Sequence, residues 1–236
     1  LFPWVESPSL SHRLAIDASG FTAHVSKTMR ETWAFDPREQ EAHDKGSVAE
    51  LASLAATEAS NGFPLLHSHT LVGLWGALEA CIDGMCEEWL RHDSAGSANA
   101  GLSRVKVSLG EYLSRSEDER WWWVLDQVKR YRGSELKKGV GQFESVLDVI
   151  SLGGALDEDV RAVLYQAKAI RNLIAHNGGR VDSRFKEECA HFSVEVGGKF
   201  LLSSAQLTAA STAMVYYADT VWARMKLKAG LDAHEV

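Results

Sequence analysis

Apolar residues along this chain recur mostly at three- and four-residue steps, the signature of helices with one buried face. From His67 to about His92, Leu71, Leu74, Trp75, Leu78, Ile82, Met85 and Trp89 keep that spacing, which predicts a long core helix. Ser116 followed by Glu117-Asp118-Glu119 is an N-cap with acidic residues in the first turn, opening a helix through Trp121, Val124, Leu125 and Val128 to about Tyr131. Phe143, Val146, Leu147 and Ile150 predict a short helix stopped by Gly153-Gly154. Asp157-Glu158-Asp159 opens another, which ends at Asn177-Gly178-Gly179. A last long helix spans Ser204 to about Lys228, with Leu207, Ala210, Met214, Tyr217, Val221, Trp222 and Met225 inward.

Only the stretch from His191 to Ser203 alternates like strand: Phe192, Val194 and Val196 precede Gly197-Gly198, and Phe200-Leu201-Leu202 return. We expect a small hairpin there in an otherwise all-α bundle. Ser94 to Gly101, small and polar, and the region from Gly133 to Gly141 are expected connecting loops. Residues 1–62 are broken by Pro3, Pro8, Gly20, Pro37 and Gly46, and their one clean helical piece runs from Ser47 to about Ser60. They are expected to form an arm or cover, with residues 63–236 as the helical domain.

Composition narrows the class. At 236 residues the chain is long enough for a sizeable core. Cys81, Cys86 and Cys189 are odd in number and lack CxxC spacing, which argues against a disulfide framework and a structural zinc site. No apolar run approaches the length of a membrane span, and Leu1-Phe2-Pro3-Trp4-Val5 lacks the basic start of a signal peptide, so a soluble, cytoplasmic protein is expected. A net charge of −7 argues against indiscriminate coating of nucleic acid; contact with phosphate has to be local.

The helix from residue 157 to 176 is where such a local site concentrates. Val160, Val163, Leu164, Ala167, Ile170 and Ile174 form its core stripe. The other side collects Ala162, Tyr165, Ala169, Asn172 and His176, small, aromatic or uncharged residues where lysine and glutamate are usual, which predicts neighbours on both sides, one of them another helix or a second copy of the chain. Arg171, at the edge of the core stripe, needs an anionic partner, and Glu79 and Asp83 on the long early helix are the in-chain candidates. Asn172 and His176 share a face, and His176 lies in the last turn, where the helix dipole favours a cation and makes it a candidate proton carrier. From Val160 to Lys186 six basic residues face one acid, Asp182; of these Lys168, Arg180, Arg184 and Lys186 are candidate RNA-binding residues around His176.

Arg171-Asn172-Leu173-Ile174-Ala175-His176 resembles the R-x4-6-H signature of the HEPN superfamily, in which a polar residue such as Asn follows the Arg. The context resembles RiboL-PSP-type HEPN proteins: Leu74 to Ala80 (LWGALEA) on an early helix, Arg171 to Asp182 (RNLIAHNGGRVD), a hairpin and a long closing helix, together covering roughly residues 63 to 228. The resemblance implies an HEPN-like helical bundle, a homodimer with Arg and His at its interface, and RNA cleavage by 2′-hydroxyl attack with no metal and no cofactor. In that reading His176 handles a proton, Arg171 neutralises the phosphorane and Asn172 orients the site. It further implies a toxin or phage-defence effector acting on RNA, tRNA or another structured RNA included, and restrained by an antitoxin or other partner protein. The competing expectation is a silent HEPN module that binds RNA, a nucleotide or a partner protein without chemistry. His67-Ser68-His69 is read as a helix-start feature, and at least one ring of Trp121-Trp122-Trp123 is expected to be exposed or at a contact.

Overall fold

The computed structural model describes residues 37–92, 101–133 and 137–230, with side chains from residue 48 onward; the expected loop at Ser94 to Ala100 lies outside the described residues. The chain divides between Ser60 and Asn61 into two units. The first contributes helix α1 (Pro37–Ser60). It begins with a proline, whose missing N–H costs nothing at a first helical position, instead of near Ser47. Gly46 sits inside it, because one interior glycine costs only about 1 kcal/mol of helix propensity. Val48, Leu51 and Leu54 of α1 are exposed.

The second unit is a helical bundle: α2 (Pro64–His92), a 3-10 turn at Leu102–Arg104, α3 (Leu109–Leu113), α4 (Glu117–Arg132), α5 (Gly141–Leu147), α6 (Glu158–Asn177), α7 (Ser183–Glu188) and α8 (Ser204–Ala229). α2, α6 and α8 pack on one another, α4 joins α2 and α5, and α7 lies on α6. The core is centred on Trp75 and Tyr217, both fully buried, with Leu71 and Ile82 of α2, Leu164 and Ile170 of α6, and Val221 of α8 around them. Helix ends follow local chemistry: Ser116 with Glu119 and Ser203 with Gln206 are reciprocal capping boxes. His67, at the start of α2, donates from Nδ1 to the Leu202 carbonyl at 3.1 Å and ties that end to the segment entering α8. Trp123 is buried and Trp122 exposed.

Two expectations are corrected. The hairpin between His191 and Ser203 does not form. Its second limb pairs with the chain leaving α6: Val181 N donates to Gly198 O (2.9 Å), Gly197 N to Val181 O (2.8 Å) and Phe200 N to Gly179 O (2.8 Å), with one β-bridge, Arg180 to Lys199. Phe192 turns into a cluster with Phe185 (6.0 Å) and Phe200 (5.1 Å), so the alternating apolar residues serve ring packing beside α7. The helix expected from Phe143 to Ile150 ends earlier, at Leu147; Val149, Ile150 and Leu152 are still buried, now from a turn in which Ser151 adopts φ 62°.

Behind α5 lies an ionic cluster without a sequence signature. Glu144 accepts from Tyr217 Oη at 2.8 Å and from Arg224 Nη1 at 2.9 and 3.1 Å, while Arg224 Nη2 donates to Ala155 O at 2.9 Å. It clamps the connection from α5 to α6 onto α8. Cys81, Cys86 and Cys189 are unpaired, and burial pushes the Cys86 thiol up to about 12. Among the described residues no helix is long and apolar enough to cross a membrane.

Candidate functional site

α6 is bounded by two local devices that set the site's position. Asp157 accepts from the backbone N–H groups of Asp159 (2.9 Å) and Val160 (3.3 Å), and at the other end Gly178 takes the left-handed conformation, φ 59°, with its N–H on Ile174 O at 3.1 Å. The chain then reverses at once. Asn177 Nδ2 donates to Asp182 Oδ2 at 2.6 Å, and Asp182 Oδ1 caps α7 by accepting from Phe185 N at 2.7 Å. α7 is thereby laid along the second face of α6, which covers Ala169 and leaves His176 exposed at the end.

Between these elements and the segment 137–142 lies a groove of about 520 Å³, lined by Glu79, Gln142, Tyr165, Lys168, Arg171, Asn172, His176, Arg184 and Glu188, with Lys137 to Gly139 along one edge. Asn172 and His176 also line a neighbouring hollow of about 260 Å³ beside α7. Five basic side chains, Lys137, Lys138, Lys168, Arg171 and Arg184, and two carboxylates, Glu79 and Glu188, give the groove a positive balance in an acidic protein. Such a hollow attracts anions.

Arg171 is the organising cation. Its Nη2 reaches Glu79 Oε2 at 3.5 Å, its Nη1 donates to Asn172 Oδ1 at 3.0 Å, and its Nε is buried without a hydrogen-bond partner. Asp83 does not join it: that carboxylate pairs with Lys129 of α4, so Glu79 is the one carboxylate of the expected two that Arg171 meets. Glu79 is itself held, Oε1 accepting from Trp75 Nε1 at 2.9 Å and from Gln142 Nε2 at 3.2 Å. The amide of Gln142 faces both ways, since its oxygen accepts from Lys168 Nζ, which also donates to Lys137 O at 2.7 Å. One hydrogen-bonded chain thus runs from Lys168 through Gln142 and Glu79 to Arg171 and Asn172. Burial holds the Lys168 ammonium below the usual lysine range; Glu79 opposes that push and Arg171 adds to it.

The other candidates part company. Arg184 lines the groove but pairs with Glu188 at 3.3 Å, and Lys138 meets the same carboxylate at 3.0 Å. Burial pushes Glu188 up, but the two cations together outweigh it and hold the carboxyl below its ordinary range. Arg180 donates to Gly197 O at 3.2 Å, and Lys186 to the carbonyls of Phe192 (3.3 Å) and Val194 (3.0 Å), so both brace the segment after α7 and neither lines the groove.

Sequence reading did not reach Gln142 or Glu188; Lys138 it placed, with Lys129, Arg130, Arg132 and Lys137, in a basic run read either as a secondary RNA patch or as a solvated face, and of that run Lys137 and Lys138 line the groove. Arg184 and Glu188, four apart on α7, carried a faint signal, as did Trp75 and Glu79 on α2; nothing local marks Gln142. Among the described residues no three His, Cys, Asp or Glu side chains gather as a metal-ligand set. The chain matches no family model, no curated protein and no solved structure. Chemically, the arrangement offers a braced guanidinium, a half-buried ammonium and an exposed imidazole in one open groove, groups suited to holding a phosphate and moving a proton beside it.

Proposed function

We propose that this groove is a metal-independent ribonuclease site of HEPN type, worked by two copies of the chain. The observation that carries the reading is that Arg171, Asn172 and His176 line one cationic hollow together with Lys168. In the reaction the 2′-oxygen of a ribose attacks the adjacent phosphorus and the P–O5′ bond breaks, leaving a 2′,3′-cyclic phosphate and a 5′-hydroxyl. One proton leaves the 2′-hydroxyl and one reaches the departing O5′. Arg171 bears on the charge gathering at phosphorus, and Asn172 fixes its fork through the 3.0 Å bond. His176 carries a proton, and a second copy facing the groove supplies the second imidazole, so that acid and base are separate groups.

In the cell such an activity suits a cytoplasmic toxin or phage-defence effector restrained by a partner protein. Expression is then expected to arrest growth, and His176→Ala to relieve the arrest. A second reading, a silent module that binds an RNA phosphate or a partner, draws on Arg171 being already engaged by Glu79. Incubating labelled total RNA and tRNA in EDTA with wild type and His176→Ala separates the two. The nuclease reading expects cyclic-phosphate or 3′-phosphate ends, lost in the variant with a rate drop of roughly 10²–10⁴-fold. Intact RNA with a folded wild-type dimer would favour the silent module.

A further inference from the structure

Upstream of His176 the groove carries a ring and a cation that the proposed chemistry leaves unused. Tyr165, Lys168, Asn172 and His176 succeed one another at three- and four-residue steps of α6, and all four line the groove. Tyr165 is half-buried, with Lys138 Nζ 3.5 Å from its hydroxyl and 5.9 Å from its ring centroid. At this point the 137–139 segment lies directly on α6, since a Cβ on Gly139 would stand 3.0 Å from Tyr165 Cα.

Lys168 differs from the groove's other half-buried cation. Arg171 has Glu79 as counter-ion, and the more exposed Lys138 and Arg184 share Glu188, but the oxygens that hold Lys168 Nζ, from the Lys137 carbonyl and the Gln142 amide, are neutral. A half-buried ammonium among neutral acceptors keeps its charge available for an anion. Along the helix axis the backbone positions of Tyr165 and Lys168 lie about 4.5 Å apart, and the next turn, about 6 Å further, brings Asn172.

We propose that Tyr165 and Lys168 form a nucleotide subsite in which the base of an unpaired RNA nucleotide stacks on the Tyr165 ring and its phosphate meets Lys168, next to the phosphate that Arg171 and His176 engage. This rests on the RNA reading of the groove and defines its substrate class. A base inside a continuous duplex is already stacked and paired and offers no free face, so the substrate is a single-stranded or looped segment.

The test uses the full chain and uncleavable 2′-O-methyl oligonucleotides, with affinity read by fluorescence anisotropy across a salt series. A single strand is expected to bind at least about tenfold tighter than the same strand in a blunt duplex. Tyr165→Phe keeps that affinity, whereas Tyr165→Leu loses roughly 5- to 100-fold, the range of one base stacked on an aromatic ring. Lys168→Met lowers the slope of log affinity against log salt by about 0.7, the value for one single-strand phosphate, and Lys168→Arg restores it. Equal affinity for duplex, Tyr165→Leu binding like wild type, an unchanged slope in Lys168→Met, or no binding by wild type would each overturn the subsite. Because the strand cannot be cut, the two proposals fail separately: this binding pattern without cleavage of natural RNA removes the nuclease alone, and cleavage without the pattern removes the subsite alone.

Discussion

Glu79 illustrates how one side chain's worth depends on what it satisfies. Its pairing with Arg171 is long, 3.5 Å, and both groups are partly exposed, so the ion pair itself contributes at most about 1 kcal/mol. Its other oxygen, however, is the acceptor for the Trp75 indole N–H and the Gln142 amide. Glu79→Gln keeps an acceptor and is expected to cost about 1 kcal/mol or less, while Glu79→Leu leaves those donors and Arg171 unmatched and is expected to cost roughly 1–3 kcal/mol more. Urea denaturation of the two variants checks the ordering; equal losses would mean that charge, not hydrogen bonding, is what Glu79 supplies. At this scale the sequence was informative where partners share a helix. Asn172 and His176 could be assigned to one face from their spacing alone. The choice between Glu79 and Asp83 could not, because it is made by Lys129, which approaches from α4 and takes Asp83 away.

Among elements, those closed by local chemistry were readable and those closed by contact were not. Ser116, Asp157, Gly178 and Ser203 end their helices through bonds to residues two to five positions away, and the expected boundaries there agree with the structure to within a few residues. The segment after α7 misled because alternation records only that every second residue is apolar; a cluster of Phe185, Phe192 and Phe200 satisfies it as well as a sheet. α7 itself is held by Glu188 between Lys138 and Arg184. Since the folded state lowers the Glu188 pKa, its contribution is complete above the ordinary carboxylate range and is lost as pH falls through the folded value. The acid limb of the stability profile should therefore be shallower in Glu188→Gln than in wild type, read from urea midpoints between about pH 6 and 3. α2 carries a different liability. Gly73, Gly76 and Gly84 lie exposed within it, and an added Cβ at each would meet nothing within 4 Å. Alanine at each position is expected to raise stability by about 0.5–1 kcal/mol, additively in thermal melts. A loss instead would reveal a second backbone resting on that face.

For the molecule as a whole, the buried cluster among the described residues is drawn from residues between Leu71 and Met225, all of the second unit. A chain beginning at Asn61 should then unfold in one cooperative transition with a midpoint close to that of the full chain, as followed by circular dichroism in urea. A broad transition would place part of the core's support before Ser60. The all-helical character was visible from apolar spacing, because that pattern is repeated over the long elements of the second unit, α2, α4, α6 and α8. The groove's positive balance was only half visible: the basic residues could be counted, yet Arg180 and Lys186 spend their charge bracing carbonyls.

The carboxylate tethered beside Arg171 has one more consequence, for selectivity. Ligand entry at that guanidinium is an exchange in which the newcomer displaces a resident anion whose effective concentration is fixed by the fold. A lone phosphate ion, offering one weak contact at dilute concentration, meets that competitor unaided. Under the RNA reading proposed above, a strand that first engages neighbouring positive groups would arrive at Arg171 at high local concentration. Glu79 would then set a bias of about fivefold at most, the equivalent of about 1 kcal/mol, against a single anion at that guanidinium and in favour of a tethered one.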